Sequence, residues 1–171
     1  DGSFQPGSNG YDFTITNNGN SEDTFTVTAT SDNGWVASGS ESQTVTVAKG
    51  ATGTFTITMD VAHVATGIVD HWSATATAGN DDTQTGSHDG QTTVASVSGH
   101  TVSIGTNSGS ALPSGSVSYS FVITNTGNAA EAFAYSTVSA NDWGLGGGAG
   151  TTASLEMGAS ETVTVVHTVS E

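Results

Sequence analysis

The sequence predicts an all-β chain built as two tandem antiparallel β-sandwiches, and three observations carry that expectation. Thr and Val alternate with larger apolar residues over many short segments, and no window of eleven or more residues shows a helical apolar stripe. Turn signals rich in Gly, Asn and Asp punctuate these segments at short intervals, the spacing of a sandwich. The run Tyr11-Asp12-Phe13-Thr14-Ile15-Thr16-Asn17-Asn18-Gly19-Asn20 returns as Tyr119-Ser120-Phe121-Val122-Ile123-Thr124-Asn125-Thr126-Gly127-Asn128.

Taken in order, residues 1–10 read as a turn-rich lead-in. Tyr11–Thr16 is the first clear strand, with Tyr11, Phe13 and Ile15 on one face and threonines on the other. Thr24–Thr30 repeats the pattern with Phe25, Val27 and Ala29 inward. Asn33-Gly34 makes a turn, and Trp35 follows as an apolar anchor. Thr44–Ala48 is a short strand ended by Lys49-Gly50. Thr54–Val61 places Phe55, Ile57, Met59 and Val61 in register, and Ile68–Ala78 does the same with Trp72, Ala74, Ala76 and Ala78. Clean alternation of this kind belongs to antiparallel sheets with one buried and one solvated face. Gly79–Gln91 is polar throughout and reads as the boundary between modules. The second module then opens with Thr92–Val97 and Thr101–Thr106, and a Ser/Gly loop leads to Leu112-Pro113. The expected modules are residues 1–91, lacking an opening strand, and 92–171, lacking a closing strand.

Shifting the chain by 108 positions (Tyr11 onto Tyr119) aligns the two modules without a gap, and 18 of the 51 positions from Tyr11 to Val61 are then identical. The repeated residues are inward aromatics, turn Gly and Asn, and a tryptophan, Trp35 matching Trp143; all are residues that keep a fold. The same arithmetic leaves the first module without a counterpart of Thr92–Thr106 and the second without one of Ile68–Ala78. Unpaired strand edges are normally covered. The expectation is therefore that the chain belongs to a longer tandem array or precursor, or that neighbouring subunits complete its edges by strand addition.

The repeated motif resembles the CARDB-type immunoglobulin-like modules of large bacterial and archaeal cell-surface proteins. The resemblance rests on Ile15–Asn20, Asp23, Phe25, Gly34-Trp35, Val47–Gly50 and Thr54–Thr58, and again on Ile123–Asn128, Glu131, Phe133, Asp142-Trp143, Leu155–Gly158 and Thr162–Val165. It covers about two thirds of the chain. The resemblance implies immunoglobulin-like sandwiches serving in stalks, adhesins and surface layers, and it brings no catalytic residues with it. The proline that often closes such modules is missing.

Charge narrows the partners. Sixteen carboxylates face one lysine and no arginine, for a formal charge of −15. Phosphate recognition needs clustered Lys and Arg, so nucleic acid is excluded, and anionic membrane surfaces attract basic segments rather than acidic ones. No run approaches 18 apolar residues, so no membrane-spanning helix is expected. Without cysteine there is neither a disulfide framework nor thiol chemistry. The start at Asp1 without Met fits a processed or excised chain, and a single lysine leaves trypsin-like proteases one cut.

Candidate chemistry is weaker than architecture. Asp81, Asp82 and Asp89 suggest a Ca²⁺ site, but Asn80, Asp82 and Gln84 alternate with the required glycine misplaced, and a solvated acidic loop is preferred. His63, His71 and Asp70, or His88-Asp89 with His100, offer transition-metal donors at no recognised ligand spacing. Lys49 is the only amine for an isopeptide staple, and its place in a turn, with Met157 as its counterpart, argues against one. No nucleophile elbow is present, and Gly144–Gly150 lacks the lysine and helix of a phosphate loop. The outward Thr rows (Thr14/Thr16, Thr26/Thr28, Thr54/Thr56/Thr58, Thr75/Thr77) invite an ice- or glycan-binding reading, yet Thr suits any exposed strand face and sheet twist spoils a flat lattice match. No Asn-x-Ser/Thr sequon occurs.

The expected function is structural: a non-enzymatic subunit of an extracellular filament, surface layer or adhesin stalk. It needs no cofactor, and its partners are copies of itself or neighbouring repeats of a longer chain, most simply as a homopolymer. The alternative is a glycan- or receptor-binding accessory module of a secreted or surface protein.

Overall fold

The computed structural model describes residues 1–140 and 144–171. Asn141, Asp142 and Trp143, counted above in the repeat, lie outside the described residues. Thirteen strands and no helix are formed among the described residues, and backbone contacts divide the chain into two compact units, Asp1–Ala95 and Ser96–Glu171.

The first unit holds β1 (Gly2–Phe4), β2 (Gly7–Thr16), β3 (Asp23–Ser31), β4 (Ser42–Val47), β5 (Thr52–Val61), β6 (Val69–Ala78) and β7 (Thr85–Val94). They form a five-stranded sheet in the order β1-β7-β6-β3-β4 and a two-stranded sheet β2-β5. Every pairing is antiparallel except the short parallel contact of β1 with β7. The alternation read from the sequence is realised. Val27, Ala29, Ile57, Met59, Val61, Trp72, Ala74 and Ala78 are buried, while the threonines between them face outward or half-outward. Trp35 and Trp72 join Ile57, Met59 and Val94 in the core, so both described tryptophans are the anchors their spacing implied.

Two expectations are corrected. The lead-in is not a loop: Gly2–Phe4 pairs with Thr92–Val94, and the first clear strand begins at Gly7. Gly79–Gln91 is not a linker: residues 79–84 turn the chain, and Thr85–Val94 runs back along β6 as a full strand, with Val69 opposite Thr93 and Thr77 opposite Thr85. Thr92–Val94 therefore closes the first unit rather than opening the second. The polar composition of β7 misled because its first five residues are exposed on both faces, so no apolar alternation marks them. Backbone pairing with β6 holds them in place.

The second unit holds β8 (His100–Ile104), β9 (Ser116–Asn125), β10 (Ala134–Ser136), β11 (Gly144–Gly146), β12 (Ala149–Thr151) and β13 (Ser160–Thr168). The sheets are β11-β13-β9-β8 and β10-β12. Its core gathers Ile123, Phe133, Leu155, Val163 and Val165. The internal repeat extends to strand register. Ser8 opposes Asp60 in β2-β5, and Ser116 opposes Thr168 in β9-β13, each number raised by 108. Asp23 opposes Val47, and Glu131 bridges Leu155, again by 108. The register then slips by one: Ala134 opposes Thr151, whereas Thr26 opposes Thr44. An extra residue in the 152–154 segment bulges the edge there.

Candidate functional site

The repeated Asn is the part of the motif with a defined role. Asn17 is 3 % exposed and Asn125 is fully buried. Asn17 Nδ2 donates to the carbonyls of Ser21 (2.9 Å) and Val47 (2.8 Å), and its Oδ1 accepts the Gly19 amide at 2.9 Å. Asn125 repeats each bond, to Ala129 (2.8 Å), Leu155 (2.7 Å) and the Gly127 amide (2.8 Å). A second turn docks on the same residue: the amides of Gly50 and Gly158 donate to the backbone carbonyls of Asn17 and Asn125. Both glycines have left-handed φ, +72° and +78°, which explains why both copies keep Gly there. These are structural clamps. They hold the turn after β2 or β9 against a segment some thirty residues away.

Above the clamps lie the open surfaces. In the first unit the two sheets are pinned where the Tyr11 hydroxyl meets the Gln91 carbonyl (3.0 Å) and the Thr92 hydroxyl (2.9 Å), beside Phe4 and Trp72. Toward Asn17 they part into a cleft of about 810 Å³, floored by Phe13, Phe25, Phe55, Ala74, Ala76 and Ala78. Phe13 stacks on Phe55 at 5.2 Å, and the His88 ring stands 5.9 Å from Phe13. One rim is the outer edge of β2. The Asn17 amide donates across the ladder to Ala51, so the odd-numbered groups of β2 serve β5 and the amides of Asp12, Thr14 and Thr16 point outward. The other rim is β7 over Thr85–His88, beyond the reach of β1, which covers only Thr92–Val94.

The second unit is open elsewhere. There β8 lies along β9, with Thr101 opposite Thr124 and Ile104 opposite Phe121. Strand β10, the counterpart of β3, pairs only with β12 among the described residues, whereas β3 pairs with both β4 and β6. A cleft of about 660 Å³ runs beside β10, lined by His100, Val102, Phe121, Ile123, Phe133 and Tyr135. Val102 and Ile104 are 58 % and 73 % exposed, a high figure for β-branched residues on a paired strand.

The candidate metal residues are not brought together, and no group of three or more ligating side chains occurs among the described residues. Asp81 sits in the β6-β7 turn, where its Oδ1 accepts the Thr83 hydroxyl (2.6 Å) and amide (3.1 Å). Those bonds hold its carboxyl below the ordinary aspartate value. Asp89 lies along β7 opposite Ser73. Asp70 is buried and accepts the Asn33 amide at 2.7 Å, capping the Asn33-Gly34 turn, while its Oδ2 and Trp72 Nε1 have no hydrogen-bond partner among the described residues. His71 and His63 are exposed, and neighbours along a strand point to opposite faces, so Asp70 and His71 diverge. His88 belongs to the first unit, and His100 packs on Phe133 in the second at 5.1 Å. Lys49 is exposed in its turn. The repeat marks these asparagines as fold-keeping turn residues, but the carbonyls they bind, some thirty residues away, carry no local signal.

Comparison with known proteins adds a family. A family model described as the Ig-like fold at the C-terminus of FixG, a putative oxidoreductase, matches residues 5–94. No curated protein sequence matches the chain. Among solved structures, the chain is similar to one from work on a chaperone–tip adhesin complex in CFA/I fimbriae biogenesis, at 10% identity and a TM-score of 0.37, covering 94% of this chain and 81% of that one. It is similar at the same identity and score to the class 5 fimbriae chaperone CfaA, covering 93% of this chain and 80% of that one. Likeness at that level carries no function across.

Proposed function

The chain belongs to the family of Ig-like folds found at the C-terminus of FixG, and from that premise we propose that it is a structural subunit of an extracellular filament, surface layer or adhesin stalk. In this reading its two units are tandem immunoglobulin-like sandwiches, comparable to the CARDB-type modules of cell-surface proteins that its repeated motif resembles. They assemble through strand edges, with copies of the chain or neighbouring repeats as partners. The subunit has no catalytic centre and no cofactor, and its acidic surface keeps it away from nucleic acid and anionic lipid.

One observation carries the reading. Among the described residues, each unit leaves open an edge whose counterpart in the other unit is paired: β9 carries β8 where β2 is bare, and β3 carries β6 where β10 is bare. Open edges flanked by apolar clefts are templates for pairing with further strands. Sedimentation velocity over a concentration series tests this. The expected result is species heavier than the 17.0 kDa chain that grow with concentration. A single 17.0 kDa species at every concentration would overturn assembly between copies.

A further inference from the structure

The geometry points to the first-unit cleft as an acceptor groove for one extended strand, lying antiparallel to β2 with two β-branched apolar side chains opposite Phe13 and Ile15. This rests on the edge-assembly reading and names the site, the partner's chemistry and the register.

The molecule contains its own template. Strand β8 lies on β9 with Val102 opposite Ile123 and Ile104 opposite Phe121. Lowering the β9 numbers by 108 gives Ile15 and Phe13, two residues of the cleft. Because β2-β5 and β9-β13 share one register, β2 presents the same groups outward as β9 does. On β9, the Ser120 amide donates to Thr106, and the Thr126 amide donates to Gly99. Their counterparts are Asp12 and Asn18, on the open rim. The approach to β8 is held as well. The Asn128 backbone amide donates to the Val97 carbonyl (3.0 Å), and Asn128 Oδ1 accepts the Val97 amide (2.7 Å). Asn20, its counterpart, is exposed and lines the cleft mouth. The acceptor groups for a β8-like strand, from its lead-in to its end, are therefore present on the first unit.

The groove is also better built for such a strand than the face on which β8 lies. Val102 and Ile104 are largely exposed on β8. In the first unit, Ala74, Ala76 and Ala78 of β6, with the His88 ring, stand across the cleft from Phe13 and Phe55. Small alanines leave room for inserted branched side chains, and main-chain bonds to β2 supply affinity while the alternate pockets supply specificity. The acidic rim residues Asp23 and Asp81 disfavour an acidic strand.

The test uses the full 171-residue chain and a fluorescent peptide with the sequence of residues 98–106, Ser-Gly-His-Thr-Val-Ser-Ile-Gly-Thr. The control peptide exchanges its Val and Ile with the neighbouring Thr and Ser. The expected result is saturable binding by the first peptide, at least tenfold weaker binding by the control, and slowed amide exchange at Asp12, Thr14 and Thr16. Thr14→Pro removes an outward amide that β5 does not use, and Ala76→Phe fills the floor without touching the backbone; each is expected to weaken binding at least tenfold. No saturable binding to the folded chain, binding without slowed exchange on β2, equal binding of the control peptide, or wild-type binding by both variants would overturn the groove. A chain that binds the peptide yet stays at 17.0 kDa upholds the groove and overturns only self-assembly. A chain that assembles while the β2 amides exchange freely does the reverse.

Discussion

Truncation of the clamp asparagines separates the two units by energy. Asn125→Ala removes two donated bonds and one accepted bond. Leu155 and Gly127 are buried; the Glu131 amide still serves the carbonyl of one and the Gly99 carbonyl the amide of the other, but water does not take the vacated places. At about 0.5–1.5 kcal/mol net for each of the three bonds, the loss is roughly 1.5–4.5 kcal/mol. Asn17→Ala removes the same three bonds, but Ser21 and Gly19 are exposed and regain water. Only the bond to the carbonyl of buried Val47, which keeps its ladder pairing with Asp23, goes unreplaced, and this sets the cost at about 0.5–1.5 kcal/mol. The assay is urea unfolding followed by circular dichroism, with hydrogen exchange resolved by unit to assign each loss. Against a typical domain stability of about 5–15 kcal/mol, the Asn125 variant should unfold its own unit at visibly lower urea while leaving the first unit unchanged. An Asn125→Ala cost below that of Asn17→Ala, or both below about 0.5 kcal/mol, would refute the clamp argument.

Three further outcomes follow from the same geometry. Gly90→Ala would place a Cβ 2.4 Å from the Trp72 ring, and because buried Trp72 cannot retreat, the variant should lose about 1–3 kcal/mol and shift tryptophan emission; wild-type thermal unfolding would contradict this. Asp81 titrates below the ordinary aspartate value because Thr83 bonds its charged form, so its contribution to the β6-β7 turn is present above the unfolded value and is lost as pH falls through the lowered folded one. Carbon-detected NMR titration should show that low midpoint, and Thr83→Ala should raise it. With a formal charge of −15, association between copies should strengthen as NaCl rises from about 10 to about 150 mM, where the Debye length shrinks from roughly 30 to 8 Å; salt-independent sedimentation would argue against charge-opposed edges.

How much of this was legible in the sequence depended on whether a residue's partner is signalled locally. Strands β2 to β6 could be read because each buries alternate large side chains, and the 108-residue shift foretold a shared register that Ser8–Asp60 and Ser116–Thr168 then displayed. Strand β7 escaped because its outer half faces an open cleft and carries no apolar code. Strand β1 escaped because three residues in a parallel pair leave no period to read. The shortness of β10 beside its nine-residue counterpart β3 was equally hidden: β3 is extended by pairing with β6, a tertiary effect absent from the local sequence. Repetition marked Asn17 and Asn125 as important, but their function depends on carbonyls thirty residues away. The candidate metal and cross-link residues illustrate the converse. Asp70 and His71 are adjacent in the sequence, yet strand geometry turns them apart.

In the proposed function, bare strand edges are the working surface of this molecule. Site-resolved amide exchange across a concentration series tests it most directly. Residues 133 and 137 bond across to the β12 side, so the amides of Ala134 and Ser136 point away from it; these and the outward amides of β2 (Asp12, Thr14 and Thr16) should exchange rapidly in dilute solution and slow together as heavier species form. Exchange at those five amides that stays the same from the most dilute to the most concentrated sample would contradict the claim.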